Sequence, residues 1–181
     1  MISITTLCVD NTSRTSEVAL LLLDGFRGIS DAWSDTASAH HEVVANSTST
    51  HVSLIACVDE AVVGWVAANP QYDGHAWELH PLVVASAFRR RGIARALVTT
   101  LCAQVKAKGA TTLFVWCDDE GGYTSLADTS LYPDPLVHVA QFSATSPHAA
   151  GFYLKLGFSL CGVLPDANGI GKPDILFSRR V

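Results

Sequence analysis

At 181 residues the chain has the length of one domain, and with 49% hydrophobic and 16% charged residues it can bury a sizeable core, which excludes wholesale disorder. Twelve Lys and Arg against seventeen Asp and Glu give a net charge of −5, the wrong sign for a general nucleic-acid binder and a suitable one for cationic partners. The longest apolar run, Val18 to Leu23, stops at Asp24, far short of the roughly 20 residues that span a bilayer, so no membrane segment is expected.

Residues Ile2 to Val9 alternate partially and predict a strand, and Ser16 to Phe26 predicts a largely buried helix. From Arg27 to Ser49 the composition turns to Ser, Thr, Asp, Ala and His, with room for a second helix. His51 to Val58 and Val62 to Ala68 read as strands joined across Asp59-Glu60-Ala61, and Trp77 to Val84 follows the loop Asn69 to Gly74 as the next strand. Ile93, Leu97, Leu101 and Val105 recur every four residues and define the clearest helix, with Gly109 placed to end it. Thr111 to Cys117 reads as a strand, and Asp118 to Thr145 as a long loop that must be functional or carry hidden structure. A short helix His148 to Leu156, a strand Phe158 to Val163 and a last strand Ile175 to Arg179 complete the chain. Early hairpin-linked strands followed by strands alternating with helices imply an α/β (α+β) fold, a mixed sheet covered by helices, in a single domain over 1–181.

The five cysteines (Cys8, Cys57, Cys102, Cys117, Cys161) contain no Cys-x-x-Cys pair and are read as buried small hydrophobes in a reducing compartment. With no secretory signal at the start, a cytoplasmic location is expected. His40-His41 matches no metal-ligand spacing, so no metal is expected.

Arg89-Arg90-Arg91-Gly92-Ile93-Ala94 lies between a strand and the clearest helix. The first N–H groups of a helix lack internal partners and carry the positive end of its dipole, so an anion belongs there. Gly92 lets a phosphate approach the backbone, and arginines at a helix start are unfavourable unless an anion answers them.

The strand–Arg-x-x-Gly-x-Ala–helix unit, with Phe152-Tyr153-Leu154-Lys155-Leu156-Gly157-Phe158 further on, resembles the GNAT superfamily of acetyl-CoA-dependent N-acetyltransferases. Three stretches resemble its aminoglycoside 6′-N-acetyltransferases more narrowly. They are Pro70-Gln71-Tyr72 with Trp77 to Val84, Asp118-Asp119 with Thr124-Ser125-Leu126, and Pro165 to Ile175.

The resemblance implies a mostly antiparallel sheet with splayed central strands and flanking helices. It implies that the Leu82, Val83 and Val84 backbone holds the pantetheine arm of acetyl-CoA and polarises the thioester carbonyl, with the diphosphate on Arg89, Arg90, Arg91, Gly92, Ile93 and Ala94. An acceptor amine with a pKa of about 10.4 must lose a proton before attack, at a cost of about 4–5 kcal/mol at neutral pH. Glu78 is the leading proton acceptor, with His80 two residues on along the same strand face. Asp118 and Asp119 would complete an acidic pocket for the aminoglycoside, and Tyr153 would stand by the coenzyme sulfur. Phe26, Tyr72 and Trp77 could offer flat faces to sugar rings, with Trp33 an alternative to Phe26. The family's His-Pro pair departs here, since Ala149 follows His148. Related enzymes are commonly dimers, and the last strand with Phe177 offers an interface or an exposed edge. The alternative acceptor is a peptide, lysine or polyamine amine, and a non-catalytic acetyl-CoA sensor is a further reading.

Overall fold

A computed structural model describes residues 2–28, 32–145 and 148–181. The chain forms two compact units, residues 1–111 with 181, and residues 112–180. The first holds β1 (Ile2–Thr6), α1 (Thr12–Phe26), α2 (Thr36–Ala45), β2 (Val52–Val58), β3 (Ala61–Gln71), β4 (Ala76–Val84) and α3 (Ile93–Ala107). The second holds β5 (Thr112–Asp118), α4 (Pro135–Ala140), α5 (Ala150–Lys155), β6 (Ser159–Leu164) and β7 (Asp174–Arg180).

In the first unit β1 to β4 pair in order, every pair antiparallel. The β2–β3 turn is Asp59-Glu60 alone, both at positive φ (48° and 68°), a mirror-image turn that matches strand twist. Neither residue is glycine. Arg14 steadies the turn by donating to the Glu60 carbonyl and carboxylate.

The apolar run of α1 is not buried on most sides. Thr15, Val18, Ala19 and Leu22 form one inward stripe, whereas Leu20 is 56% exposed. That stripe, with Ala39 and Val43 of α2, covers Ile55, Trp65, Ala67 and Val83. The second helix begins on an Asp35–Ser38 capping box. On α3, Ile93, Leu97, Leu101 and Val105 are all buried, and Ile93 and Leu97 lie against Gly64 of β3.

Between β3 and β4 the register slips. Ala68 faces Leu79 and Val66 faces Leu82, so β4 carries one extra residue across the step. Residues opposite each other share a face, which places Glu78 beside Asn69 and Val83 beside Trp65 on the side of α1 and α2. Leu79 and Leu82 fall on the other side.

In the second unit the strand order is β5-β7-β6, all antiparallel. The last strand is therefore central in this unit, and Phe177 is fully buried against Phe142, which corrects the expected exposed edge. The segment from Asp118 to Thr145 does carry hidden structure: α4, buried Leu126 and Leu131, and a bridge between Thr124 and Ala144. The cysteine expectation also needs correction, since Cys57 and Cys117 are buried but Cys8 and Cys161 are exposed. Cys8 lies just beyond β1, and Cys161 sits in the irregular step of β6.

A Cβ on Gly25 would collide with the Val83 side chain, so α1 and β4 meet there without slack. Gly25→Ala should therefore destabilise the protein by about 1–3 kcal/mol in urea unfolding, despite the better helix propensity of alanine. Val83→Ala in the same chain should recover part of the loss; an unchanged midpoint for Gly25→Ala would refute the tight packing.

Candidate active site

The turn into α3 shows how a sequence opens backbone donors. Arg90 (φ 61°) and Gly92 (φ 83°) both take left-handed conformations, and Gly92 is the N-cap with no side chain capping the helix. The first intrahelical bond runs from the Ala96 N–H to the Gly92 carbonyl. Among the described residues the N–H groups of Ile93, Ala94 and Arg95 have no recorded acceptor, and a Cβ built on Gly92 would meet nothing within 4 Å. An anion can reach these amides.

The arginines divide the work. Arg89 donates from Nε to the Val84 carbonyl (3.2 Å) and from Nη2 to the Gly25 carbonyl (3.3 Å), tying the ends of β4 and α1 together. All three arginines are exposed, and the Arg91 guanidinium lies 5.1 Å above the Phe88 ring.

On β4, Glu78 is half-buried and its carboxylate has no recorded protein partner among the described residues. His80 reaches α2, its Nε2 3.3 Å from Glu42 Oε1. Phe26 meets Trp33 edge-on at 4.6 Å, and Trp33 lies 5.9 Å from the His80 ring, so both aromatics considered for the end of the first helix belong to one cluster. Tyr72 is 78% exposed. Trp77 is not available as a sugar platform: it is buried, and its indole N–H donates to the Gly74 carbonyl. Leu82, Val83 and Val84 run beside Val66, Trp65 and Gly64, with Val83 wholly in the core.

In the second unit Asp118 ends β5 with an exposed carboxylate. One oxygen accepts from Asn168 Nδ2 at 2.9 Å. Asp119 differs from its neighbour and from expectation. It is 1% exposed, and its two oxygens accept the Tyr123 and Thr124 N–H groups, both at 2.8 Å. Its charge folds the loop and is not presented to solvent. Glu120 faces Lys172 at 3.8 Å.

His148 accepts the Ala150 N–H at Nδ1 (3.1 Å), so its Nε2–H donates to the Asp118 carbonyl (3.2 Å). Burial lowers its pKa and holds the ring neutral. Tyr153 is 5% exposed between the Phe152 and Phe158 rings, and burial, with the nearby Cys117, pushes its phenol well above the usual range. Among the described residues no group of His, Cys, Asp and Glu could hold a metal ion, and no helix is long and apolar enough to cross a membrane.

Glu42, Asn46 and Asn168 were missed by sequence reasoning. The Asp35-x-x-Ser38 cap with Ala39 and Val43 could have revealed α2, but nothing local marks Glu42 or Asn168 as site neighbours.

Replacing Asp119 by Asn opposes an amide N–H₂ to a backbone donor, and should cost about 1–3 kcal/mol and expose residues 120–124 to proteolysis. Equal stability and equal protease resistance would refute this role. His148 gives a pH dependence of definite sign. Its folded pKa lies below the unfolded value, so its contribution is full above about pH 6.5 and is lost as pH falls. His51, also lowered by burial, acts in the same direction. The urea midpoint should fall between about pH 7.5 and 5.5, less steeply in His148→Gln; an identical slope would refute the assignment.

The model of the acetyltransferase (GNAT) family matches residues 19–126. The chain is 32% identical to an aminoglycoside 6′-N-acetyltransferase solved in complex with coenzyme A, with a TM-score of 0.89, covering 98% of this chain and 96% of that one. The same values relate it to the aminoglycoside 6′-N-acetyltransferase from Enterococcus faecium. An aminoglycoside 6′-acetyltransferase type Ii is 29% identical, with a TM-score of 0.76 and 98% and 96% of the two chains covered. No curated protein matches in sequence. The mixed α/β fold, the turn into α3 and these matches agree, and the chain belongs to the GNAT family of acetyltransferases.

Proposed function

We propose that this acetyltransferase moves the acetyl group of acetyl-CoA onto the 6′-amino group of aminoglycoside antibiotics by direct attack in a ternary complex, and so confers resistance. In this reading residues 1–181 act as one catalytic domain, working in the cytoplasm as a homodimer. The observation that carries it is the turn Arg90–Ala94: left-handed at Gly92, uncapped, with open amides and two exposed arginines. That donor set fits the diphosphate of coenzyme A. The resemblance of Pro70–Val84, Asp118–Leu126 and Pro165–Ile175 to 6′-N-acetyltransferases supports the acceptor.

Bound acetyl-CoA supplies an activated acetyl group and a thiolate leaving group. A backbone N–H of Leu82–Val84 stabilises the negative charge that gathers on the carbonyl oxygen, as a fixed donor aimed at developing charge does. Ile93, Ala94 and the preceding turn hold the diphosphate. Glu78 receives the cationic amine and takes up its proton, directly or through one water, with His80 beside it. Tyr72 and Phe26 offer ring faces to the sugars, and in the second unit Asp118 offers a carboxylate to a cation.

Tyr153 acts as a hydrogen-bond donor to sulfur. An ordinary phenol near 10 is uphill of a thiol near 8.5 by about 2 kcal/mol, and burial makes Tyr153 a weaker acid still. Proton delivery to the thiolate therefore falls to solvent.

Thiol release from acetyl-CoA should accompany turnover of kanamycin or tobramycin, and should vanish with analogues bearing a 6′-hydroxyl. Glu78→Gln should lower kcat/KM by about 10²–10³-fold while leaving coenzyme A binding intact. No release with either antibiotic, beside turnover of a peptide amine, would overturn the substrate.

A further inference from the structure

His80 shares a strand face with Glu78 and reaches Glu42 on α2. We propose that Glu42 is a positioning residue for His80, fixing the hydrogen of the ring on Nε2 so that Nδ1 is the basic nitrogen on the face of β4 that carries Glu78. This deepens the acetyl-transfer reading above and rests on it for the identity of the acceptor.

The geometry supports a held carboxylate. Glu42 Oε1 stands 3.3 Å from His80 Nε2 and accepts Asn46 Nδ2 at 2.6 Å; the same amide donates to the Glu42 carbonyl at 3.0 Å. The Trp33 indole lies near enough to help lower the Glu42 carboxyl. Two partners, His80 from β4 and Asn46 from the end of α2, therefore meet at one carboxylate oxygen. The helix that bears it is seated through Ala39 and Val43, both fully buried. Glu42 is 23% exposed and His80 47%, so the carboxylate is sheltered while the imidazole keeps one side open to solvent.

A wholly exposed pair of this kind would be worth little, because water screens it and two long side chains must be ordered. Here the ordering is already supplied by Asn46 and the helix. The His80 contact, then the other donors, hold the Glu42 carboxyl below the usual range against the opposing effect of burial. An ionised carboxylate at Nε2–H does for an imidazole what a buried Asp does in a serine protease triad: it selects the tautomer and stabilises the imidazolium.

Among the described residues, Glu42 of α2 stands against His80 and Glu78 lies two residues earlier on the same face of β4, while the Trp33 ring adds no charge. The proton path then balances. Two protons leave the acceptor nitrogen. The ammonium gives the first to Glu78 or to a water it holds, and it passes to His80 Nδ1 and on to solvent. As the nitrogen–acetyl bond forms and the carbon–sulfur bond breaks, the second leaves by the same route, and the departing thiolate takes a proton from solvent. A carboxylic acid near pKa 4 keeps a proton poorly at neutral pH, whereas an imidazole near 6.5 keeps it better, so the second station is useful.

The test pairs nuclear magnetic resonance with kinetics on the full chain. In Glu42→Gln the His80 imidazole should titrate about one pH unit lower than in the parent protein, and the nitrogen shifts should lose the Nε2–H signature. Glu42→Asp, which keeps the charge on a shorter arm, should give an intermediate shift. The acid limb of kcat/KM for kanamycin should move by the same amount, with about a tenfold loss at neutral pH and an unchanged KM for acetyl-CoA. In a His80→Ala background, Glu42→Gln should add no further loss. Identical His80 titration in parent and Glu42→Gln, or losses that multiply in the double variant, would overturn the proposal. A parent protein that turns over no aminoglycoside would sink the substrate reading instead, and the titration would still decide whether Glu42 sets the tautomer and basicity of His80.

Discussion

One extra residue in β4 governs the first unit. Between Leu79 and Leu82 the strand advances three positions while β3 advances two. Side chains alternate with a period of two, so without that step everything beyond it would change faces. Val83 would leave the core under α1, and Leu82 would leave the side of α3. With it, Glu78 and His80 stay on the α2 side, and the strand is still aligned for Val83 to meet Gly25. Placement of the acid, the imidazole and the first helix is thus a single constraint.

The polar side chains then sort by what they satisfy. Arg89 bonds two carbonyls, Asp119 bonds two amides, and the Ser53 hydroxyl accepts the Trp65 indole within the core. The Thr124 amide and the Trp65 indole are buried, and leaving either unpaired in a low-dielectric interior would cost about 1–3 kcal/mol. Glu78 and the N–H groups of Ile93 and Ala94 are in the opposite situation, with capacity left over. Residue type alone does not separate these groups, since Asp118 and Asp119 are neighbours with different roles.

This difference explains what could be read from the sequence. The third helix was legible because four buried residues repeat every four positions, and the glycine turn that opens it because Gly92 sits between a strand and that helix. The strands of the β2–β3 hairpin were legible, although its turn is shorter than composition suggested and places Glu60 at positive φ. The second helix was obscure because only Ala39 and Val43 of its ten residues are buried. The long segment after β5 was opaque because its order comes from bonds to Asp119 and from the Thr124–Ala144 bridge, neither of which has a periodic signature. Trp77 misled for a related reason: an aromatic beside a loop looks like a platform until its N–H is seen to bond Gly74. The contact of Glu42 with His80 joins residues far apart in sequence, and no local pattern announces it.

The stretch Pro165 to Ile175 carried part of the family resemblance without an evident chemical role, and its contacts supply one. Asn168 holds an oxygen of Asp118, the Pro173 carbonyl accepts the Asp119 N–H, the Gly171 carbonyl accepts the Asp128 N–H, and Lys172 faces Glu120. Gly171 has φ 74°, and a Cβ there would stand 3.0 Å from the Asp128 carboxylate and 3.1 Å from its Cα, so glycine is required for the two loops to meet. An exposed carboxylate attracts a cation weakly in water, and salt weakens it further. A carboxylate whose carbonyl, side chain and following amide are all anchored loses less order when a cation arrives, and so binds it at lower entropic cost. The glycine-rich loop therefore holds Asp118, Asp119 and Glu120 still.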